Sequence, residues 1–264
     1  MAASVSQISR TMWKWTAAVT AICCLAAPCM AQRRLRRSDI QAPAPLPVGS
    51  VLVVGFLGAW DRWDNPKRNV RKVAIRLRET SGMHVFAETA GNRNRKTIRK
   101  YIHEALDRDK NGKIDEAEAR SVGIILYGQS FGGAAAVRLA RELKRWNVPV
   151  LLTVQVDSVG RGDGVIPSNV KRAVNLYQRD PGPIRGQSSI RAEDASHTQI
   201  LANLQHTYLL REMDMTDYPR VSRGRMTLSH WKMDNDPMVW VEVEGFIRTE
   251  IVRWQAERAL GIAK

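Results

Sequence analysis

Short apolar runs alternate along the chain with segments of helical spacing, and this alternation is the feature that most constrains the fold. Residues 51–57 and 122–127 are apolar at almost every position, which is typical of strands buried on both faces of a sheet. Further strands are predicted at 83–87, 148–156 and 173–177, and helices at 70–77, 97–106, 134–146 and 240–254. Strands that alternate with helices predict an α/β fold, a mostly parallel sheet flanked by helices on both faces.

The composition is that of a globular domain rather than of a disordered or fibrous chain. Of the 264 residues, 44% are hydrophobic and 25% are charged, which provides enough apolar material for a sizeable core. The formal net charge of +15 favours contact with anionic surfaces. The basic residues are scattered between apolar helix positions and form no recognised nucleic-acid-binding motif, so nucleic acid is not expected as a partner.

Residues 1–31 have the layout of a secretory signal peptide. A weakly basic start precedes an apolar run at 15–27, and small residues lead to a cleavage site after Ala31. We therefore expect a secreted or periplasmic protein, with lipid attachment at Cys29 or an uncleaved anchor as the alternatives. All three cysteines lie in this segment, so the mature chain is expected to have no disulfide. No later stretch is long and apolar enough to predict a transmembrane segment in the mature chain.

Residues 32–49 combine basic side chains with a proline-rich stretch. This composition predicts a solvated, extended linker before a domain that spans residues 50–264. The basic tail is also suited to contact with an anionic cell-envelope surface, which is the alternative to a leader that touches only water.

The sequence GQSFG at residues 128–132 is the strongest catalytic motif in the chain. An apolar strand leads directly into it and a helix leads out, which is the context of a nucleophile elbow. Glycines two residues either side of Ser130 avoid Cβ clashes in such a tight turn. The turn would present the serine hydroxyl at the carboxyl end of the sheet, where open α/β folds bind ligands. We predict Ser130 as the nucleophile, with a plain glycine-rich turn as the alternative.

A serine nucleophile needs a base, and the base needs an acid that orients it. The chain order in this architecture is serine, acid, histidine. His230 precedes the predicted last helix, in what reads as a loop, and is the favoured base; His197 and His206 are the alternatives. Asp157 directly follows a predicted strand and is the favoured acid, while Asp180, at the end of the next segment, stays open.

An oxyanion hole requires two backbone N–H groups that point at the developing negative charge. One is predicted from Phe131, directly after the nucleophile. The other is predicted from Phe56 or Leu57, in the loop expected after the first strand.

These motifs resemble those of the α/β-hydrolase superfamily, and within it a group of uncharacterised bacterial secreted hydrolase-like proteins. The resemblance rests on GFLG at 55–58, GQSFG at 128–132, VQVDSV at 154–159 with the strand ending at Asp157, and His230. It covers residues 51–264 and implies an esterase or lipase with a Ser130, Asp157 and His230 triad. Two departures stand out. The leading antiparallel strands are missing, and the favoured acid comes one strand earlier than in most members.

A second motif is the acidic twelve-residue segment 107–118. It has oxygen-bearing side chains at positions one, three, five, nine and twelve and a glycine at position six. The segment resembles the calcium-binding loop of the EF-hand family. That resemblance implies Ca²⁺ ligands from Asp107, Asp109, Asn111, the Lys113 carbonyl, Asp115 through water, and Glu118. Since no second loop is found, we expect the ion to be structural, with a metal-free polar loop as the alternative.

The function that the sequence predicts is a calcium-binding serine hydrolase exported from the cell. Its substrate would be a small-molecule or lipid carboxylic ester, and the sequence leaves the acyl and alcohol groups open. The alternative is a non-catalytic calcium-binding envelope protein on the same scaffold, because a fold does not by itself imply a function.

Overall fold

The computed structural model describes residues 34–80, 84–218 and 228–261. The predicted signal peptide lies outside the described residues. The strands are β1 Val51–Leu57, β2 Val85–Gly91, β3 Gly123–Gln129, β4 Val150–Val156, β5 Val165–Ile166, β6 Val170–Gln178, β7 Arg191–Ala192 and β8 Gln199–His206. Within the described residues six of these strands form a sheet in the order β2-β1-β3-β4-β6-β8, and every neighbouring pair is parallel.

Helices cover both faces of the sheet. They are α1 Asn69–Thr80, α2 Arg95–Leu106, α3 Glu116–Arg120, α4 Phe131–Lys144, α5 Leu228–Asn235 and α6 Pro237–Ala259. Apolar residues of α2 and α4 form one buried cluster with one face of the central strands. Residues of α1 and α6 form a second cluster on the other face. The α/β fold with a parallel sheet covered on both faces is therefore confirmed.

The central strands β1, β3 and β4 are buried at every position. Their continuous apolar runs are explained by this burial, because both sides of each strand meet helices. The edge strand β8 alternates instead between exposed and half-buried residues. β8 is not among the predicted strands, because a half-exposed edge strand has no continuous apolar run.

Residues 34–49 pack against the domain, so the expectation of a solvated linker is wrong for this segment. Leu35, Ile40, Ala42 and Leu46 are buried in the cluster with α2 and α4. The backbone of the segment also bonds to the domain, since the Leu46 N–H donates to the Ala105 carbonyl at 2.9 Å. The segment contains a 3-10 helix at Arg37–Asp39 and is otherwise irregular. Its spaced apolar side chains contribute to the core, which proline and charge content do not predict.

The last helix, α6, is 23 residues long and lies along the sheet through buried residues including Trp240, Val243 and Ile247. Asp236 caps its N-terminus by accepting from the Met238 N–H at 3.0 Å, and Pro237 occupies the first turn. Across the described ranges, no helix combines the length and the apolar character that crossing a membrane requires.

Candidate active site

Ser130 lies at the sharp turn between β3 and α4. Its backbone has φ 55° and ψ −127°, a left-handed conformation that is strained for a side chain with a Cβ. The Ser130 N–H donates to the Val156 carbonyl at 2.9 Å, which ties the turn to the end of β4. Such an outlier at the carboxyl edge of a parallel sheet is the geometry that sequence analysis predicted for the elbow.

The turn depends on two glycines that let the backbone segments approach. A Cβ on Gly128 would lie 2.5 Å from the Gly132 carbonyl carbon, and a Cβ on Gly132 would lie 1.9 Å from the Phe56 oxygen. Both contacts are with backbone atoms, which cannot swing aside. The two glycines of the GQSFG motif therefore allow α4 to pack closely against β1 and β3.

His230 and Asp157 form a buried pair beside this turn. The two atoms His230 Nδ1 and Asp157 Oδ2 are 2.6 Å apart, and the side chains are 2% and 0% exposed. Asp157 Oδ1 also accepts from the Gly186 N–H at 2.8 Å, and Oδ2 accepts from Gln178 Nε2 at 3.0 Å. With the carboxylate held on both oxygens, it fixes the imidazole ring through Nδ1 and leaves Nε2 as the acceptor.

The other candidate acid, Asp180, lies elsewhere. It accepts from Thr207 Oγ1 at 2.8 Å and from the Tyr208 N–H at 2.6 Å. These bonds join the ends of β6 and β8, so Asp180 holds the sheet edge together instead of contacting His230.

The alternative histidines do not reach the turn. His197 is exposed and pairs with Asp194 at 2.9 Å, and His206 lies 3.4 Å from Glu242. Of these three histidines, only His230 contacts Asp157 and the end of β3, the strand that directly precedes Ser130.

The local structure around His230 differs from the expected loop. His230 lies in α5, and Asp234 of the same helix bonds to residues outside it. The Tyr218 hydroxyl donates to Asp234 Oδ2 at 2.5 Å, and Trp240 Nε1 donates to the Asp234 carbonyl at 2.7 Å. Burial raises the pKa of the Asp234 carboxyl to about 6, although the Arg68 guanidinium nearby opposes the shift. This network fixes the short helix that carries the histidine.

Among the described residues, no hydrogen bond joins the Ser130 hydroxyl to the His230 imidazole. The side-chain amide of Gln129 contacts the imidazole instead. Gln129 Nε2 lies 3.2 Å from His230 Nε2. Gln129 is not recognisable from the sequence, because the variable position of a G-x-S-x-G pattern carries no chemical information by itself.

The predicted oxyanion residues divide into two groups. Phe131 is the first residue of α4, so its N–H has no acceptor within the helix and remains a candidate donor. Phe56 and Leu57 lie inside β1, paired with Ala90 and Gly91 of β2, and not in the loop that was expected. β1 has the bounds that its apolar run predicts, so the loop begins only after Leu57.

The first loop residue beyond β1 is Gly58, and it lies beside Ser130. A Cβ on Gly58 would be 3.4 Å from Ser130 Cβ. The turn after β1 therefore borders Ser130 through Gly58, in place of the predicted Phe56 and Leu57.

A cavity opens next to α5. Its volume is about 800 Å³, within the range of small-molecule sites. Its lining is mainly apolar and comes from Pro181, Pro183, Tyr208 and Leu209, together with Ser229, the neighbour of His230.

The predicted calcium loop has a compact local geometry. Ligand atoms of Asp107, Asp109 and Glu118 lie within 4.8 Å of one another. Gly112 has φ 79° at the sharp turn, and its N–H donates to Asp107 Oδ2 at 3.0 Å. The preceding helix is α2, as predicted, while the following helix, α3, has only 5 residues.

One carboxylate oxygen in this loop is buried without a hydrogen-bond donor. Asp107 Oδ1 is buried and has no hydrogen-bond partner among the described residues. A buried carboxylate oxygen without a donor is costly unless a positive charge meets it. The donor set is made of oxygens only, which suits Ca²⁺ better than a transition metal. The residues present therefore fit a calcium ion.

No known protein-family model matches the sequence, and no curated protein matches it. The chain is similar in structure to a cutinase-like protein from Cryptococcus sp., with 13% identity and a TM-score of 0.42 over 79% of this chain and 98% of that chain. It is also similar to the RedJ thioesterase of prodiginine biosynthesis from Streptomyces coelicolor, with 12% identity and a TM-score of 0.42 over 81% and 94%. A dienelactone hydrolase-like promiscuous phosphotriesterase from metagenomic libraries shares 18% identity, with a TM-score of 0.31 over 64% and 75%. At these values the likenesses carry no functional inference.

Proposed function

We propose that this protein is a serine hydrolase in which Ser130 is the nucleophile, His230 the base and Asp157 the acid. The observation that carries the proposal is the buried 2.6 Å contact between His230 Nδ1 and Asp157 Oδ2, beside a strained serine turn. Three groups of this chemistry at one sheet edge match the roles that acyl transfer needs.

The proposed reaction follows from the direction of each hydrogen bond. Nδ1–H of His230 donates to Asp157, so the Nε2 lone pair can take the Ser130 proton as Oγ attacks the acyl carbon. The Phe131 N–H, with Gly58 in the turn after β1 as the second candidate donor, would meet the negative charge on the carbonyl oxygen. His230 then returns the proton to the leaving alcohol, and water releases the acyl group by the same steps.

The substrate class that we propose is a small-molecule or lipid carboxylic ester. The mainly apolar cavity beside α5, about 800 Å³ in volume, suits an acyl or alcohol group without charge. Arg185 and Lys232 also line this cavity and would accommodate an ester with a polar end.

The proposal predicts covalent capture of Ser130 by a fluorescent fluorophosphonate. An activated serine attacks the phosphorus and expels fluoride, and the adduct is expected on the tryptic peptide 121–138, which also contains Ser121. Tandem mass spectrometry would locate the adduct, with Ser130→Ala as the site control. The matched control is Ser168→Ala, whose serine precedes β6 at the opposite edge of the sheet.

The outcomes separate the two functional classes. An adduct on Ser130 that Ser168→Ala retains would justify screening esters by chain length. Folded, calcium-loaded protein that forms no adduct would instead favour a non-catalytic calcium-binding protein on this scaffold.

We further propose that the loop 107–118 holds one structural Ca²⁺. The proposed ligands are Asp107, Asp109, Asn111, the Lys113 carbonyl and Glu118, whose carboxylate already accepts from the Arg108 N–H at 2.7 Å. Asp115 would act through water; its side chain also caps α3 by accepting from the Glu118 N–H at 2.8 Å. The buried Asp107 Oδ1 without a partner supports the proposal.

Calcium is expected to raise the thermal midpoint of unfolding by about 5–10 °C. At about 100 times the dissociation constant, binding to the folded state adds about 2.7 kcal/mol to the free energy of unfolding, and a domain of this size gains about 2–4 °C per kcal/mol. The rise should disappear in Asp109→Ala, measured by calorimetry with and without chelator.

The control for this experiment is Asp194→Ala. Asp194 Oδ1 accepts from the Ser196 N–H at 2.9 Å, much as Asp109 Oδ1 accepts from the Asn111 N–H at 3.0 Å. Equal calcium effects in the two variants would rule out the loop as the binding site.

Export also stays a proposal. Residues 1–31, which carry the signal-peptide pattern, lie outside the described residues, and we propose a secreted or periplasmic location after cleavage near Ala31. The exposed basic residues Arg34 and Arg36, which follow, would be available to an anionic envelope surface.

A further inference from the structure

Gln129 is the last residue of β3 and directly precedes the proposed nucleophile. Its side chain is 2% exposed, and its Nε2 lies 3.2 Å from His230 Nε2. This is the ring atom that would have to accept the Ser130 proton. A side chain outside the proposed triad therefore contacts the reacting atom of the base.

The direction of this hydrogen bond follows from the imidazole. Because Nδ1–H donates to Asp157 at 2.6 Å, Nε2 of the neutral ring offers only a lone pair. The Gln129 amide must then present its N–H to Nε2 and turn its oxygen away. The structure agrees, since Gln129 Oε1 lies where a Cβ on Gly58 would come within 2.6 Å of it.

The space beside Gly58 accommodates the Gln129 side-chain amide. The missing Cβ on the loop after β1 makes room for Gln129 Oε1, and the same Cβ would lie 3.4 Å from Ser130 Cβ. The Gln129 amide therefore lies between Gly58, in the loop after β1, and the His230 ring, next to Ser130.

The Nε2 atom has one lone pair, so it cannot accept from Gln129 and from Ser130 Oγ at once with good geometry. We propose that the bond from the Gln129 amide to His230 Nε2 is a latch that holds the base in the resting enzyme and opens when substrate binds. Gln129 is then a positioning residue, and this inference rests on the proposed serine hydrolase function. When the latch opens, Ser130 Oγ–H replaces the amide as the donor to Nε2, and proton transfer proceeds as described above.

The test is the second-order rate constant for fluorophosphonate labelling of the full-length chain. Gln129→Met keeps the length of the side chain and removes the amide donor, so labelling should become about threefold to tenfold faster, the equivalent of one buried neutral hydrogen bond. Gln129→Glu keeps the shape but favours the charged imidazolium, which cannot accept a proton, so labelling should become at least about tenfold slower. Gln205→Met on the exposed strand β8 is the control for a glutamine-to-methionine change.

Opposite effects at one position would not arise from a merely structural role, which would slow both variants. Labelling that is faster in Gln129→Met but not in Gln129→Glu supports the latch. An unchanged or slower labelling rate in Gln129→Met overturns it. If Gln129→Met does not fold, Gly58→Ala is the second variant, because its Cβ displaces Gln129 Oε1 while the amide stays in the chain. The ¹⁵N chemical shift of His230 Nε2 should then change in Gly58→Ala, and an unchanged shift overturns the proposal.

The same data separate failure of the latch from failure of the proposed function. Labelling of the wild-type chain at Ser130 without acceleration in Gln129→Met removes the latch and leaves the hydrolase. The absence of labelling in every variant removes both.

Discussion

Replacing Asp157 by asparagine is expected to lower kcat about 10⁴-fold while the protein stays folded. The asparagine oxygen can keep the bond from the Gly186 N–H, which Asp157 Oδ1 accepts. Its NH₂ group would replace Oδ2 and would face both Gln178 Nε2 and His230 Nδ1 with a donor. The ring would then place its proton on Nε2, the wrong tautomer for a base, and the positive imidazolium would lose its carboxylate partner. The measurement is kcat on an ester found by screening, with the labelling rate as a substitute until one is found.

Asp180→Asn is the matched control for this prediction. Asp180 is also a buried aspartate that accepts from a backbone N–H, at Tyr208, after a neighbouring strand. Its loss should weaken the edge between β6 and β8 and change kcat less than about tenfold. A larger loss of kcat in Asp180→Asn than in Asp157→Asn would reverse the assignment of the acid.

The fold could be predicted where burial leaves a pattern in the sequence. β1, β3 and β4 are covered on both sides, so their apolar runs are continuous and were recognised. The edge strand β8 and the segment 34–49 carry no such run. In β8 every second residue is half-buried and the others are exposed. The segment 34–49 contributes separate apolar side chains to a core that other elements form.

The site could be predicted where chain order and strand ends define the chemistry. Ser130 follows β3 and Asp157 follows β4, so adjacency of parallel strands already brings them to one edge. The choice between Asp157 and Asp180 depended on which carboxylate α5 faces, and that is a property of tertiary packing. Gln129 could not be predicted at all, since its contact depends on a missing Cβ at Gly58, far away in the sequence.

The second large effect concerns the packing that holds Ser130 in place. Gly132→Ala is expected to lower the free energy of unfolding by at least about 3 kcal/mol, or to prevent folding. Its Cβ would lie 1.9 Å from the Phe56 oxygen and 2.6 Å from the Phe56 carbonyl carbon, so α4 would have to move away from β1. Denaturant unfolding measures the loss.

Gly245→Ala provides the opposite expectation within the same protein. Gly245 lies inside α6, and its added Cβ would meet nothing within 4 Å, so alanine should stabilise the helix by about 0.5–1 kcal/mol. The contrast between the two variants separates the backbone contact at Gly132 from the general effect of replacing a helical glycine. If Gly132→Ala were as stable as Gly245→Ala, α4 would not pack against β1 as closely as the turn at Ser130 requires. The strained serine, and with it the proposed nucleophile, would then lose its structural basis.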